Sequence, residues 1–210
     1  MTNKITFEVF DKERFENNKQ QLALYWLNIM CPNNFGRLNN YGTLLKEFGV
    51  NYKWNYSIDG DILPIEYWNK LTTTQQEQLN QYNIQWTIEG MEFFFNPNKP
   101  DMQDEFYKNE VNQFYIIMLV DKIPVAESGF VILKDKSAII HGLEVAKHHR
   151  KKGYATQIIS KGIEVLQSKG VNKLKSRVSQ TNIGSQRLHE KNNFKTYSSE
   201  EHYIFYGKEI

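Results

Sequence analysis

The sequence has a single cysteine, Cys31, among 210 residues. It can therefore form neither an intramolecular disulfide nor a metal site made only of cysteines. Its 26 basic and 24 acidic residues leave a formal net charge of +2, which is too small to draw the whole molecule to nucleic acid or to a membrane. No window approaches the roughly 18 apolar residues of a spanning helix, and residues 1–6 lack an apolar signal core. We therefore expect a soluble, cytoplasmic protein that binds neither nucleic acid nor membrane.

The first hundred residues are rich in aromatic side chains, which favours a packed region over a disordered one. The patterns there predict a strand over 5–10, helices over 12–30 (capped by Asp11), 41–48, 65–71 and 75–82, a turn at 59–61 and one or two strands within 84–95. Residues 96–101, with two prolines and two asparagines, form the clearest break in the chain. We place a boundary there, between an N-terminal region (1–100) and a core (101–210).

The core has a more regular pattern than the N-terminal region. Apolar strands are predicted over 113–120, 123–133 and 137–145, then a helix over 154–169, a strand over 172–178, a helix over 182–191 and a hairpin over 194–206. The first three strands are joined by short polar turns, which predicts an antiparallel meander. The order of strands and helices indicates an α/β (α+β) arrangement around one mixed sheet.

The stretch 141–155 joins a buried strand, a basic turn and the start of a helix. The first amides of a helix have no partner within it, and the helix dipole favours negative charge at that end. Gly153 has no side chain, so an anion can approach the backbone closely. We expect a ligand bearing a pyrophosphate at this place. A rival interpretation, a nucleic-acid patch over 147–152, is opposed by the small net charge and by the glycine that opens the helix.

Two motifs carry a resemblance to a known family. The run Arg150-Lys151-Lys152-Gly153-Tyr154-Ala155 resembles the acetyl-CoA motif of the GNAT superfamily of N-acetyltransferases, Arg/Gln-x-x-Gly-x-Gly/Ala. The run from Asn182 through Ser185, Leu188 and His189 to Asn193-Phe194 resembles the family's downstream element, Asn-x-x-Ala-x-x-Leu-Tyr-x-x-x-Gly-Phe. The likeness covers about residues 113–206. It implies a GNAT fold, with a mixed, mostly antiparallel sheet flanked by helices and an enlarged N-terminal region.

The resemblance also implies acetyl-CoA as the cofactor and a set of residues that bind it. The pantetheine arm would pair with backbone groups of Leu143 and Val145, and amides of 151–156 would surround the pyrophosphate. The implied set is Leu143, Val145, Arg150, Lys151, Lys152, Gly153, Tyr154, Ala155, Thr156, Asn182, Ser185 and His189. Asn193 stands where the family has glycine, and asparagine tolerates the left-handed conformation of a helix C-cap.

The catalytic residues remain open between alternatives. His141 matches the position of a histidine proposed as the base in arylalkylamine acetyltransferases, and strand alternation would give it the same face as Ile139 and Leu143. Glu144, at the expected bulge, is a second candidate base, and a base acting through water is a third. His141 could instead be a hydrogen-bonded residue of the sheet.

His189 replaces the tyrosine that in the family protonates the coenzyme A thiolate. An imidazolium could serve as this acid. Alternatively, His189 fills space and the acid is Tyr154, Tyr197 or water. His148 and His149 are interpreted as solvated turn residues rather than metal ligands, because no third ligand is suitably spaced, and no metal is expected.

The resemblance implies that a primary amine attacks the thioester directly, on a small molecule (polyamine, aromatic amine, amino acid or aminoglycoside) or on a peptide. The competing hypothesis is a non-catalytic sensor of the same fold that binds acyl-CoA. The acidic residues that could receive a cationic acceptor are Glu89, Glu92, Asp101, Asp104 and Glu105. The oligomeric state is left open between monomer and homodimer.

Overall fold

The computed structural model describes residues 4–32, 35–37, 42–51, 62–96 and 109–210. Its strands are β1 Ile5–Asp11, β2 Glu110–Val120, β3 Ile123–Leu133, β4 Ser137–Val145, β5 Lys173–Ser179, β6 Lys195–Ser199 and β7 Tyr203–Glu209. Its α-helices are α1 Lys12–Asn17, α2 Lys19–Met30, α3 Gly42–Glu47, α4 Ile65–Trp68, α5 Thr73–Phe95, α6 Tyr154–Ser168 and α7 Ile183–Lys191. The predicted turn at 59–61, most of the predicted break (97–101) and Asp101, Asp104 and Glu105 lie outside these residues.

The described strands form one seven-stranded sheet in the order β1-β2-β3-β4-β5-β7-β6. Strands β4 and β5 pair in parallel, and every other described pair is antiparallel. The mixed, mostly antiparallel sheet predicted from the sequence is therefore confirmed. The strands and helices predicted for the second half are all present, with ends displaced by three residues or fewer.

The two faces of the sheet carry separate apolar cores. One face packs against α1, α2 and α5 through residues such as Phe10, Ile117 and Phe95. The opposite face packs against α6, where Phe130 lies beneath Ile159 and Leu166. The side chains of β2, β3 and β4 alternate between these two cores, so a residue's position along the strand determines which core its side chain joins.

The prediction of strands within 84–95 is wrong, because this segment is the second half of α5. Most of its buried residues, namely Ile84, Thr87, Met91 and Phe94, recur at the three- and four-residue spacing of a helix. The β-branched and aromatic composition suggested strands, but helical periodicity decides the outcome. The helix begins at a capping box, in which Thr72 and the side chain of Gln75 bond to each other's backbone amides.

The single helix predicted over 12–30 is two helices. Asp11 caps α1 as predicted, accepting a hydrogen bond from the Arg14 amide at 2.9 Å. The backbone leaves helical geometry at Asn18 (φ −142°, ψ 34°), and α2 starts at Lys19. The predicted helices over 65–71 and 41–48 are shorter, at Ile65–Trp68 and Gly42–Glu47.

Candidate functional site

Strands β4 and β5 separate shortly after they begin to pair. Their parallel pairing joins Ser137–Ile139 to Lys173–Lys175 and ends there. The Ala146 amide donates to the Val125 carbonyl on β3 at 2.9 Å, and antiparallel pairing alternates along a strand. The N–H and C=O groups of Leu143 and Val145 therefore point away from β3, toward the edge that β5 has left. This edge offers backbone groups to an extended ligand.

A β-bulge at Gly142 interrupts β4 beside this opening. Gly129 pairs with His141 but Ser128 pairs with Leu143, and Gly142 has φ +72°. The Ser128 hydroxyl, which is fully buried, donates to the Gly142 carbonyl at 2.7 Å and holds the bulge in place.

The bulge makes one prediction wrong, that His141 and Leu143 share a face. Leu143 packs with the core under α6. His141 lies on the opposite face, where its ring centroid is 4.9 Å from that of Phe94. His141 shares the face of Ile139, as predicted, and faces the helices of the N-terminal region, whereas the extra residue Gly142 moves Leu143 to the other face.

The basic turn ends in a left-handed glycine at the start of α6. Gly153 is the N-cap, with φ +81° and no side-chain cap, so the first amides of the helix have no such partner. A Cβ added at Gly153 would meet no atom within 4 Å, so the space in front of this backbone is open. Lys151 is also left-handed (φ +64°), and Lys151 and Lys152 are exposed. Alternating backbone conformations of this kind form a concave nest of amides that binds anions.

Arg150 connects the turn to the open edge of β4. Its Nε donates to the Val145 carbonyl at 3.0 Å. Its guanidinium lies 4.0 Å from the Glu144 carboxylate. Burial raises the pKa of Glu144, and the charge of Arg150 acts in the opposite direction. The sequence predicted Arg150 as a cofactor residue but missed its contact with the strand.

Helix α7 lies beside the first turn of α6. The Asn192 amide donates to the Thr156 hydroxyl at 3.2 Å and so joins the two helices. Asn182 caps α7 by accepting from the Ser185 amide at 3.0 Å, and its side chain is exposed. Asn193 adopts φ +62° after the helix, as its predicted C-cap role requires.

His189 is buried in the core beneath α7, with 2% of its surface exposed. Its ring stacks on Tyr206 (centroids 5.2 Å apart) and meets the edge of Phe194 (5.0 Å). Its Nδ1 lies 2.7 Å from the Ser185 carbonyl and must donate to it, because a carbonyl only accepts. Burial lowers the pKa of His189. The neutral ring with hydrogen on Nδ1 is therefore favoured, and it presents at Nε2 an acceptor rather than a donor.

Glu127, the charged residue on β3, was not predicted from the sequence. It pairs across the sheet with Glu144, and its side chain faces Trp26 on α2. Only 3% of Glu127 is exposed, and its Oε2 has no hydrogen-bond partner in the described part of the chain. Burial first, and then the charge of Glu144, raise the pKa of Glu127 to about 8. The available signal was a lone carboxylate within an otherwise uncharged strand of eleven residues.

The remaining candidate residues are two glutamates that have other partners and two histidines of the basic turn. Glu92 forms an ion pair with Lys19 at 2.6 Å, and Glu89 accepts a hydrogen bond from Gln85 at 3.0 Å. His148 is exposed and His149 half-buried. The described residues contain no group of three or more His, Cys, Asp or Glu side chains that could hold a metal ion. In the same residues, no helix is both long and apolar enough to cross a membrane.

A family model described as "Acetyltransferase (GNAT) family" matches residues 79–194. No curated protein matches the chain. Among solved structures, PaiA N-acetyltransferase from Thermoplasma acidophilum, in complex with coenzyme A, is 11% identical with a TM-score of 0.54, each chain covering 99% of the other. A GNAT-family protein from Desulfovibrio desulfuricans is 11% identical with a TM-score of 0.55, over 98% of this chain and 99% of its own. At these identities the likeness shows a shared fold.

Proposed function

Since the chain belongs to the GNAT acetyltransferase family, matching its model over more than half of its residues, we propose that it transfers the acetyl group of acetyl-CoA to a primary amine. One observation carries the proposal. The open edge of β4 leads within a few residues to the uncapped start of α6. A ligand with an extended amide arm and a pyrophosphate needs both features in this order.

The residues present fit acetyl-CoA. Backbone groups of Leu143 and Val145 would pair with the pantetheine arm, and the amides of 151–156 would surround the pyrophosphate. Arg150, Lys151 and Lys152 supply positive charge there, while Asn182 and Ser185 lie at the start of α7 for further contacts. When bound, acetyl-CoA supplies the activated acetyl thioester.

The chain must also position the amine and take up its proton. His141 and Glu144 lie near each other on β4, beside the edge proposed for the pantetheine arm. In this proposal either of them acts as the base, directly or through one water. The N-terminal region (1–100) would shape the acceptor side over the core (101–210), because α2 and α5 pack on the face that carries His141.

The placement of His189 supports its packing role over its proposed role as the acid. A neutral ring with hydrogen on Nδ1 has no proton to give from Nε2, and burial disfavours the cation. The variant His189→Phe keeps the stacking on Tyr206 and removes the ionisable group. We expect its kcat to stay within about threefold of wild type, whereas loss of a general acid would cost about 100-fold or more.

The proposed function is tested by a thiol-release assay with acetyl-CoA and a panel of free amines (spermidine, tyramine, lysine, an aminoglycoside and a short peptide). We expect amine-dependent release of free thiol, with acetylation of the amine nitrogen detected by mass spectrometry. The panel also separates small-molecule from peptide acceptors. Silence across the panel from a protein that still binds acetyl-CoA would refute the transferase assignment and favour the acyl-CoA sensor.

A further inference from the structure

The face of the sheet toward the N-terminal helices carries a row of carboxylates at one level. In register, Glu8 on β1 pairs with Ile117 on β2, Ile117 with Glu127 on β3, and Glu127 with Glu144 on β4. Directly paired residues of antiparallel strands have Cβ atoms about 5 Å apart. Glu127 and Glu144 are therefore neighbours on the face that also carries His141.

In the part of the chain that the structure describes, no cation is in contact with Glu127. Glu8 is already neutralised by Arg14 and accepts a hydrogen bond from Tyr25 at 3.1 Å. From the helices, Trp26 of α2 faces the carboxyl group with an indole, which carries no charge. On β4 its neighbours are Glu144 and, beyond it, His141. On the far side of Glu144, the Arg150 guanidinium lies 4.0 Å from the Glu144 carboxylate.

The two carboxylates differ in their access to solvent. The Glu144 side chain is 45% exposed and borders the open edge of β4, whereas Glu127 is buried behind it with an unpartnered Oε2. A buried carboxylate without a compensating cation is costly to ionise. The pair therefore holds one proton and one negative charge at neutral pH, with the charge on Glu144 and the proton on Glu127.

We propose that Glu127 and Glu144 form a proton-sharing pair that removes the proton of the acceptor amine: Glu144 binds the ammonium group, and once Glu127 has lost its own proton to solvent, the amine's proton passes through Glu144 to rest on Glu127. This inference rests on the proposed function and assigns a positioning role to Glu127, which acts through Glu144. It also predicts that acceptors bind as cations, since the contacting carboxylate is ionised.

With both carboxylates of the pair ionised, the ammonium loses one proton to Glu127 through Glu144, and the freed nitrogen lone pair forms the N–C bond to the acetyl carbon. The C–S bond breaks with its electron pair on sulfur, and the second amine proton passes to that sulfur to give the thiol. Glu127 then releases the first proton to solvent, so each turnover liberates one proton.

The test compares kcat/KM over pH 6 to 9.5 for wild type, Glu127→Gln and the exposed control Glu164→Gln, using the fastest acceptor of spermidine, tyramine and lysine. The ionisation of the amine is common to all three proteins and cancels in their ratio. At pH 6, Glu127 is protonated in the wild type, so the ratio of wild type to Glu127→Gln should be near 1. It should rise through about pH 8 to about 100, the usual size of a general-base effect. Glu164→Gln should match wild type throughout.

A ratio that is independent of pH would overturn the inference, because a merely structural role for Glu127 has no reason to follow its ionisation. Full activity of Glu144→Gln would overturn it as well. A second measurement needs no acceptor. Nuclear magnetic resonance of 13C-labelled glutamate should find one carboxyl that titrates near pH 8, is missing in Glu127→Gln, and titrates at lower pH in Glu144→Gln. If no amine reacts, the proposed function fails, and this titration alone decides whether the pair shares a proton.

Discussion

Replacing Glu127 by glutamine should stabilise the protein, and by more as the pH rises. Burial raises the pKa of this carboxyl from an ordinary 4.5 to about 8 in the folded state. Between these two values the folded chain binds more protons than the unfolded chain, so the stability of the wild type falls as pH increases. Glutamine has nearly the same shape and no proton to lose, so the variant escapes this penalty.

The magnitude follows from the two pKa values. Proton linkage with a folded pKa of about 8 gives a penalty of about 3 kcal/mol at pH 7, of about 4 kcal/mol at pH 8, and of nearly zero at pH 4. For a chain of this size the difference at pH 8 corresponds to about 10 °C in Tm. Groups distant from Glu127 titrate over the same range in both proteins and cancel in the difference, whereas Glu144, its neighbour, contributes to the difference through its charge.

The assay is urea denaturation of wild type, Glu127→Gln and the exposed control Glu164→Gln at pH 5, 6, 7, 8 and 9. The difference in unfolding free energy between Glu127→Gln and wild type should grow with pH and level off above pH 8. Glu164→Gln should show no such growth, since its side chain is 69% exposed. A constant difference between Glu127→Gln and wild type would refute the reasoning, because it would mean that Glu127 ionises normally in the folded protein.

Two further substitutions test the packing around the site by urea denaturation. Ser128→Ala should lower the free energy of unfolding by about 1–2 kcal/mol, because it leaves the carbonyl of Gly142 without its buried donor. The control Ser168→Ala, on an exposed helix end, should lower it by less than about 0.5 kcal/mol. Equal losses in the two variants would contradict the role of the Ser128 hydrogen bond. Gly162→Ala would place a Cβ in steric conflict with the Phe130 ring. It should therefore lower the free energy of unfolding by about 1–3 kcal/mol, despite the better helix propensity of alanine. The helical control Gly90→Ala meets no atom within 4 Å and should stabilise by about 0.5–1 kcal/mol; a gain at both glycines would show that Phe130 moves aside freely.

Local signals predicted most of the second half of the chain. The strands over β2 to β4 end at polar turns, α6 ends before a left-handed glycine at Gly170, and Asn193 adopts the positive φ expected of it. These features depend on residues within a few positions of each other, so the sequence displays them directly. The strand, basic turn and helix around Gly153 were predictable for the same reason.

Other features depend on packing between distant segments, and the sequence did not reveal them. The composition of 84–95 favours strands, but its buried positions follow the helical spacing that α5 uses against the sheet. The bulge at Gly142 depends on a hydroxyl fourteen residues away, on Ser128, and it places Leu143 on the face opposite to that of His141. Glu127 is recognised as a candidate functional residue only when the register of β3 and β4 is known, because that register pairs it with Glu144.

The central claim, that the turn before α6 binds the pyrophosphate of coenzyme A, is tested most directly by calorimetric titration of coenzyme A into Gly153→Val and Gly170→Val. The two glycines bracket α6 with similar backbones, at φ +81° and +75°, and a Cβ added at either meets no atom within 4 Å. Both substitutions therefore carry the same conformational cost. We predict that Gly170→Val keeps the wild-type Kd and that Gly153→Val loses detectable binding. Equal affinity of the two variants would contradict the assignment of the site.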